Sequence, residues 1–353
     1  MRSQLWESEE GADLSLSHLE SFLRAVNTDE NLKNVQKPVG DRLQNVRHEL
    51  RNFFKSDIPV VEKIGDYTVA VPGKMFRPTL VLLVAGHFEG RLDDAIFSAS
   101  VVELIHTATL IHDDTIDRSQ LRRGHPTLNA LYDDMAATIV GDFVYTKAFV
   151  SLMDRGLHNV LEVTARTAYR MSLGEMLQIQ YRGNPEMSEE KYMELIDCKT
   201  ASLMSAACEI GVLVTEEAER YREMFRAFGH YLGLAYQITD DLFDFVGDPE
   251  QLGKVLRSDL REGKVTLPLI HVLSKATEKE KIRIKSIIQG PEMDGVDWEQ
   301  VLELLDRYDG LEYGRLKALE YADRARALIE GLGRTPYLDA LEQAVDYAVV
   351  RTH

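Results

Sequence analysis

The sequence contains two clusters of three aspartates that repeat the same spacing. They are Asp113, Asp114 and Asp117 in LIHDDTIDRSQLRRG, and Asp240, Asp241 and Asp244 in QITDDLFDFVGD. Residues four apart on a helix share a face, so the first and third acids of each cluster point the same way. Like charges on such a face repel by roughly 0.2–0.5 kcal/mol per pair. A solvated acidic surface explains one cluster equally well, but the repeat favours a common cause.

The residues around both clusters indicate that cause. Apolar residues precede the first cluster (VVELIHTATLI) and surround the second (LGLAYQI and LFDFV). Carboxylates on core-forming helices need partners, because an unpaired buried charge is costly. Mg²⁺ takes oxygen ligands, keeps several waters and commonly bridges carboxylates to substrate phosphates. The two clusters, facing each other, therefore predict a site for more than one Mg²⁺ around a diphosphate, which would neutralise the acids.

Basic residues beside the glycines or the acidic clusters supply the opposite charge. They are Lys74, Arg77, Arg122, Arg123, Lys199, Lys254 and Lys264. Any one of them alone is better explained as a surface cation. Together they predict an anion site, since arginine offers bidentate hydrogen bonds and lysine a point charge to phosphate oxygens.

Composition limits the partners. The chain has 353 residues, 44% of them apolar, and a formal net charge of −17. A nucleic-acid surface usually shows as a basic excess, so no nucleic-acid partner is expected. Cys198 and Cys208 would lie roughly 15 Å apart on one helix, too far to bridge, which favours a reducing, cytoplasmic setting. No apolar run approaches the roughly 18 residues that span a bilayer, so no transmembrane segment is expected.

Apolar residues recur at helical spacing, as in RYREMFRAFGHYLGLAYQITDDLFDFV, and strand-like alternation is hard to find. Thr277 with Glu280, and Asp297 with Gln300, have the spacing of capping boxes. The sequence therefore predicts an all-α protein. Because no linker or shift of composition interrupts the pattern, we expect one domain, residues 36–353, after a flexible N-terminal tail, residues 1–35.

From about residue 36 onward the chain resembles the trans-isoprenyl diphosphate synthases, the polyprenyl synthetase family, especially its bacterial long-chain members. The matching stretches are GKMFRP, ELIHTATLIHDDTIDRSQLRRGHPT, VGDFVY, GEMLQIQ, KTASL, YQITDDLFDFVGD and GKVLRSDLREGKVTLPL. The usual Gly-Gly-Lys-Arg opening reads Pro72-Gly73-Lys74-Met75 here. The resemblance implies a single-domain orthogonal helical bundle of the isoprenoid synthase type around a deep central cavity, and a homodimer.

The resemblance also implies an activity: head-to-tail condensation of isopentenyl diphosphate with an allylic diphosphate to give an all-trans polyprenyl diphosphate. In this reaction the allylic C–O bond ionises, the alkene attacks the cation and a proton leaves. Two or three Mg²⁺ ions per active site are implied. Their implied ligands are Asp113, Asp117 and Asp240, with Asp114, Asp241 and Asp244 in support.

The resemblance assigns the basic residues to two diphosphates. Arg122, Lys199 and Lys254 would hold the allylic diphosphate, with Lys264 nearby. Isopentenyl diphosphate would be held by Lys74, Arg77, His106 and Arg123. Thr200 and Gln237 match positions that flank the developing cation. A transient membrane contact for release of the apolar product is also expected.

The resemblance also links product length to the two residues four and five positions before Asp113. In short-chain members of the family an aromatic residue at one or both positions closes the pocket floor. Here these residues are the small Thr109 and Ala108, which predicts a long product of six or more isoprene units. The alternative is that both pack against a neighbouring helix and that the floor lies deeper, at Phe143 or Phe149.

Four other interpretations remain open at this point. A short-chain farnesyl or geranylgeranyl diphosphate synthase would share the motifs, and so would a non-catalytic regulatory partner subunit, although none of the expected acids or lysines is missing. A terpene cyclase or head-to-head condensing enzyme would not explain Lys74 and Arg77. A di-iron bundle needs two Glu-x-x-His motifs, and only Glu103-x-x-His106 is present.

Overall fold

The computed structural model describes residues 28–70, 73–246, 258–290 and 295–350. Nearly all regular structure in this part of the chain is helical, which confirms the all-α prediction. In the first half the helices are α1 (Thr28–Gln36), α2 (Gly40–Phe53), α3 (Pro59–Ala70), α4 (Phe76–His87), α5 (Leu92–Ile116), α6 (Leu128–Leu131), α7 (Asp134–Asp154) and α8 (His158–Tyr181). In the second half they are α9 (Glu189–Ile196), α10 (Ser202–Leu213), α11 (Ala218–Val246), α12 (Ser258–Arg261), α13 (Leu267–Lys275), α14 (Glu278–Ile288), α15 (Gly295–Arg307), α16 (Gly310–Ile329) and α17 (Pro336–Val350).

The two helices that carry the acid clusters are core helices. The long helix α11 packs against α10 and α16, and α5 packs against α4, α2 and α7. Phe225, Phe228 and Phe243 of α11 are fully buried, as are Leu104 and Ile105 of α5. Burial of such side chains stabilises each by about 1.5–3 kcal/mol. Both acid clusters are thus held on rigid, well-packed elements.

A small hairpin interrupts the helical pattern after α5. Its strands, β1 (Leu121–Arg122) and β2 (His125–Pro126), pair antiparallel, with Arg122 opposite His125. The two loop residues, Arg123 and Gly124, have φ angles of +52° and +77°. Two consecutive positive φ angles are typical of the type I′ turn, whose twist matches that of the paired strands. The turn directs Arg122 back toward the end of α5.

A first helix lies within the last residues of the predicted N-terminal tail. Helix α1 occupies residues that were expected to belong to the tail, yet its Leu32 and Val35 are buried. It packs against α17, and the Gln36 amide donates a 2.8 Å hydrogen bond to the carbonyl oxygen of Lys74. Within the described residues, packing against the core is therefore already present at Leu32. Residues 1–27 lie outside the described part.

Two helices are long and apolar enough to span a membrane by length and composition alone. They are α5 and α7. In α5, 67% of the apolar window is buried inside the protein, against 28% in α7. The apolar character of α5 therefore reflects its place in the core, whereas α7 leaves an apolar face uncovered.

One of the two predicted capping boxes is confirmed. At the start of α14, the Thr277 hydroxyl accepts from the backbone N–H of Glu280, and the Glu280 carboxylate accepts from the backbone N–H of Thr277. The second prediction was wrong, because Asp297 lies inside the first turn of α15, which begins at Gly295. The Asp297 carboxylate accepts from Arg283 instead, at 2.7 Å.

Candidate active site

A cavity of about 1730 Å³ brings the predicted site residues together. Both acid clusters and almost all of the predicted basic residues lie on its wall. The predicted residues on the wall are Lys74, Arg77, His106, Thr109, Asp113, Asp114, Asp117, Arg122, Arg123, Lys199, Thr200, Gln237, Asp240, Asp241, Asp244 and Lys264. Residues from five separate stretches of sequence therefore converge on one volume, although the role of each remains a prediction.

Two predicted residues are not placed on this wall. Lys254 lies outside the described residues. Ala108 is fully buried in the core and is not among the described residues that line the cavity. Its neighbour Thr109 does line the cavity, and the Thr109 hydroxyl donates a 2.7 Å hydrogen bond to the carbonyl oxygen of His106. The geometry therefore supports a cavity role for Thr109 and a packing role for Ala108.

Each acid of the first cluster contacts a cation of the chain. The guanidinium of Arg122 binds Asp114 in bidentate fashion at 2.7–3.0 Å. Lys199 Nζ lies 3.5 Å from Asp113 Oδ2, and Arg182 Nη2 lies 2.5 Å from Asp117 Oδ1. The expected repulsion within this cluster is thus offset by three cations before any ligand binds. The prediction of unrelieved repulsion counted only the acids and was wrong for this cluster.

Lys199 is positioned by a local widening of the helix that carries it. The segment Asp197–Ala201 is π-helical, a form that is frequent at functional sites. A Cβ atom at Gly174 of α8 would lie only 2.7 Å from the backbone nitrogen of Lys199, so glycine permits this close approach. The ammonium group also contacts Glu175 at 2.5 Å and Gln178 at 3.0 Å. Lys199 therefore stands between α8 and the first acid cluster.

The environment of Asp113 opposes ionisation of its carboxyl group. Burial raises its pKa, the Lys199 ammonium lowers it, and the nearby Glu175 and Asp117 raise it again. The balance places the pKa of Asp113 at about 6. A bound cation would relieve this cost by favouring the charged form.

A chain of hydrogen bonds fixes the middle acid of the second cluster. The Thr200 hydroxyl donates to the Gln237 side-chain oxygen at 2.6 Å, and the Gln237 amide donates to Asp241 Oδ1 at 2.7 Å. The Tyr192 hydroxyl donates to Asp241 Oδ2 at 2.7 Å. Burial and the nearby Asp259 carboxylate raise the pKa of Asp241 well above its ordinary value. Both oxygens of Asp241 are thus engaged by the protein, which suits a supporting role.

The outer acids of the second cluster lie on the cavity wall. Asp240 and Asp244 both line it, and Asp244 Oδ2 accepts a 3.2 Å hydrogen bond from the backbone N–H of Asp259. Lys264 lies close by, with Nζ 2.5 Å from Glu262 and 3.6 Å from Asp259. Burial lowers the pKa of Lys264, but these two carboxylates raise it by a larger amount. The net pKa is therefore above its ordinary value, and the ammonium stays charged. A fixed positive charge therefore lies on the cavity wall, where the Asp117 carboxylate of the first cluster also acts on it.

A second group of cations, Arg77 and Arg123, lies around the buried acid Glu103. Arg77 Nη1 lies 3.3 Å from His106 Nε2, and the charges of Arg77 and Arg123 act on Glu103, which is 8% exposed. Burial and these arginines hold the pKa of His106 well below its usual value, so its ring is neutral and accepts from Arg77. Glu103 and His106 therefore belong to an arginine cluster, which argues against the di-iron interpretation.

Away from the acids the cavity wall is apolar. Phe149 lies seven residues, roughly 10 Å, beyond Asp142 on α7, and Ala168 lies as far from Glu175 on α8, with Met171 between them. The two phenylalanines considered as a deeper floor both pack against the core, but only Phe149 is among the described residues that line the cavity. The cavity thus combines a charged end, suited to phosphate groups and cations, with an apolar end suited to a hydrocarbon chain.

Sequence reasoning missed several residues of this site. Glu175 and Gln178 lie in the motif GEMLQIQ, so their spacing was visible, although no role had been given to them. Tyr192 and Arg182 carry no spacing signal. They reach the acid clusters from α9 and from the end of α8, and only the tertiary packing brings them there.

Comparison with known proteins agrees with this architecture. Residues 58–305 match the polyprenyl synthetase family model. The octaprenyl diphosphate synthase of Escherichia coli (strain K12) is 36% identical over 323 residues, covering 91% of this chain and 99% of that protein.

Two crystal structures share the fold at comparable identity. A decaprenyl diphosphate synthase from Rhodobacter capsulatus has a TM-score of 0.85 at 32% identity, covering 91% of this chain and 99% of that one. A polyprenyl synthase from Caulobacter crescentus CB15, complexed with calcium and isoprenyl diphosphate, has a TM-score of 0.86 at 31% identity, covering 91% and 98%. With the two acid clusters and the divided cavity, these similarities show that the chain belongs to the polyprenyl synthetase family and is a trans-polyprenyl diphosphate synthase, a transferase of prenyl groups.

Proposed function

We propose that the chain condenses isopentenyl diphosphate head to tail with an allylic diphosphate and releases an all-trans product of six or more isoprene units. The observation that carries this proposal is the single cavity with a charged end and an apolar end. Its volume of about 1730 Å³ exceeds the roughly 300–1,000 Å³ that small-molecule pockets occupy. The related octaprenyl and decaprenyl diphosphate synthases support a long product.

Mg²⁺ fits the acid clusters as an ion shared with the substrate. No three acid, histidine or cysteine side chains of the described residues form a ready metal cage. Mg²⁺ seldom uses such a cage, because it is commonly bound by one or two carboxylates, several waters and substrate phosphates. Asp113 and Asp117 on one side, and Asp240 on the other, would hold two or three ions. When bound, the ions stabilise the departing diphosphate as Lewis acids.

The related Caulobacter crescentus structure, complexed with calcium and isoprenyl diphosphate, supports a divalent cation next to a diphosphate in this family. The middle acids, Asp114 and Asp241, are engaged by Arg122 and by Tyr192 with Gln237. These two acids, together with Asp244, would therefore hold the metal-binding aspartates in position and would not be the primary ligands of the ions.

The cations form two groups that match the two substrates. Lys199 and Arg122 contact the first acid cluster directly, so they would hold the allylic diphosphate, together with Lys254 and Lys264. Arg77, His106 and Arg123 gather around Glu103 and, with Lys74, would hold isopentenyl diphosphate. Fixing both substrates makes the coupling effectively intramolecular.

The hydroxyl and amide between the clusters would face the allylic cation. Thr200 and Gln237 are hydrogen-bonded to each other at 2.6 Å and line the cavity, so their dipoles are held in place without reorganisation. The apolar end beyond them would exclude water, which would otherwise quench the cation.

A homodimer would cover the exposed apolar face of α7 and α8. On α7, Met135, Ile139 and Met153 are 70%, 61% and 52% exposed, and on α8 Tyr169 and Met176 are each 66% exposed. Contiguous apolar patches of this kind mark interaction sites. Light scattering is expected to give twice the mass of one chain at micromolar concentration, and a monomer would contradict the dimer. We assign the enzyme to the cytoplasm, with a transient membrane contact to release its apolar product.

The metal assignment is tested by neutral substitutions in each cluster. Asp113→Asn and Asp240→Asn should each reduce kcat by about 10²-fold or more, because an interaction with developing charge is lost. Asp346→Asn removes an exposed acid that contacts Arg326, and it serves as the matched control with unchanged activity. Circular dichroism verifies the fold of each variant. Wild-type turnover by either cluster variant at ordinary Mg²⁺ concentration would overturn the assignment.

A further inference from the structure

Arg182 is a part of the site that the sequence did not indicate. It is the C-cap residue of α8, and its Nη2 lies 2.5 Å from Oδ1 of Asp117. Asp117 in turn ends α5 as its C-cap residue. The Asp117 side chain is 13% exposed and that of Arg182 is 37% exposed. The ion pair therefore joins two helix ends at the rim of the cavity.

The backbone next to Arg182 is anchored to the loop that carries Lys264. The N–H of Gly183 donates a 2.7 Å hydrogen bond to the carbonyl oxygen of Gly263. A Cβ atom at Gly263 would lie 3.2 Å from Cγ of Arg182 and 3.0 Å from the nitrogen of Gly183, so the two loops are in close contact. The stem of Arg182 is thus fixed, while the guanidinium retains side-chain freedom toward the solvent.

The other cations of the first cluster make more contacts than Arg182 does. Arg122 binds Asp114 through two nitrogens, and Asp114 is 9% exposed. The Lys199 ammonium contacts Asp113, Glu175 and Gln178. Arg182 contacts Asp117 through one nitrogen and is more exposed than either. Partly exposed ion pairs are weak, about 0.2–1 kcal/mol, so an ion that binds Asp117 can displace this contact.

We propose that Arg182 is the counterion that Mg²⁺ displaces from Asp117, so that Arg182 sets the affinity of the first cluster for metal. The inference rests on the proposed function, in which Asp117 is a metal ligand. Mg²⁺ binds oxygen at 2.0–2.1 Å, and an oxygen that accepts a guanidinium N–H cannot offer the same position to the ion. Two cations at one carboxylate also repel each other.

The displaced guanidinium needs another partner, and the diphosphate of a substrate that enters this cavity would supply one. Arg182 lines the same cavity as Lys199 and Lys264. A phosphate oxygen accepts bidentate hydrogen bonds from arginine as readily as a carboxylate does. Metal binding is therefore weak in the enzyme alone and is strengthened when a diphosphate enters.

The test is calorimetric titration of Mg²⁺ into the full chain without substrate. Arg182→Gln should bind Mg²⁺ more tightly than the wild type by up to about fivefold, the upper end of the range for a partly exposed ion pair. Arg182→Lys keeps the charge and should remain within about twofold of the wild type. Arg118→Gln removes a neighbouring exposed charge that is not the Asp117 partner and should change the affinity less than Arg182→Gln. The Mg²⁺-dependent rise in Tm provides the same comparison independently.

Asp117→Asn separates this inference from the proposed function. If Asp117→Asn weakens Mg²⁺ binding while Arg182→Gln leaves it unchanged, Asp117 is a ligand and the role of Arg182 is overturned. If Asp117→Asn has no effect on Mg²⁺ binding, the metal assignment itself fails and the role of Arg182 fails with it. Tighter binding by Arg182→Gln together with weaker binding by Asp117→Asn supports both.

Discussion

The Tyr192 hydroxyl donates a 2.7 Å hydrogen bond to Oδ2 of Asp241, and both side chains are buried. Tyr192 lies on α9 and Asp241 on α11, so this contact ties the second acid cluster to a neighbouring helix. The remaining oxygen of Asp241 accepts from Gln237. Asp241 is therefore oriented by the protein, which leaves the flanking acids to face the cavity.

Removal of the Tyr192 hydroxyl is expected to impair both stability and turnover. Tyr192→Phe leaves a buried carboxylate oxygen without its donor, which costs about 1–3 kcal/mol of unfolding free energy. Because the second cluster loses its orientation, kcat should fall and the Mg²⁺ concentration for half-maximal activity should rise. Tyr308→Phe removes a similar 2.7 Å hydrogen bond to Glu280, away from the cavity, and should leave both kinetic values unchanged. Equal kinetics in Tyr192→Phe and the wild type would refute the positioning role.

The adjacent residues Ala108 and Thr109 are expected to respond differently to the same substitution. Thr109→Phe places a ring in the cavity, so the enzyme should stay active and make a shorter product. Ala108→Phe forces a ring into the close-packed core and should cost about 1–3 kcal/mol of stability. Product chromatography and urea denaturation distinguish the two effects. An active Thr109→Phe enzyme with unchanged product length would place the floor elsewhere, with Phe149 as the nearest candidate.

The pH dependence of stability should reveal the cost of ionising Asp113. Its pKa in the folded protein is raised from 3.8 to about 6, so the stability associated with the protonated form is present below about pH 4 and is lost as the pH rises to about 6. Asp113→Asn removes this loss and should be more stable than the wild type at pH 7.5 by on the order of 1–3 kcal/mol. The gain should shrink toward pH 4.

Urea denaturation across this pH range, without divalent cations, measures that gain. Asp323→Asn, at an exposed side chain, controls for the general effect of removing one negative charge. A wild type more stable than Asp113→Asn at pH 7.5 would show that the contact with Lys199 outweighs burial.

The helical fold and the charged wall were predictable because they depend on local patterns. Apolar periodicity indicated α5 and α11 as core helices, and the repeated spacing of aspartates placed both clusters. The apolar periodicity and the aspartate spacing are each set by residues only a few positions apart. The same holds for the Thr277 cap, where donor and acceptor are three residues apart.

Other parts of the site depend on helix rotation and on tertiary contacts. Successive residues on a helix point about 100° apart, so the sequence does not determine which of Ala108 and Thr109 faces a cavity. Arg182 meets Asp117 across 65 residues, and Tyr192 meets Asp241 across 49. The α1 helix was assigned to a tail because its stabilising partner, α17, lies at the other end of the chain.

The most direct test of the account is product analysis of the purified chain alone. The chain is incubated with Mg²⁺, isopentenyl diphosphate and a three-unit allylic diphosphate, and the product is separated by chromatography. We predict turnover that depends on Mg²⁺ and ends at an all-trans product of six or more isoprene units. A product that stops at four units, or no product until a second subunit is added, would contradict the account.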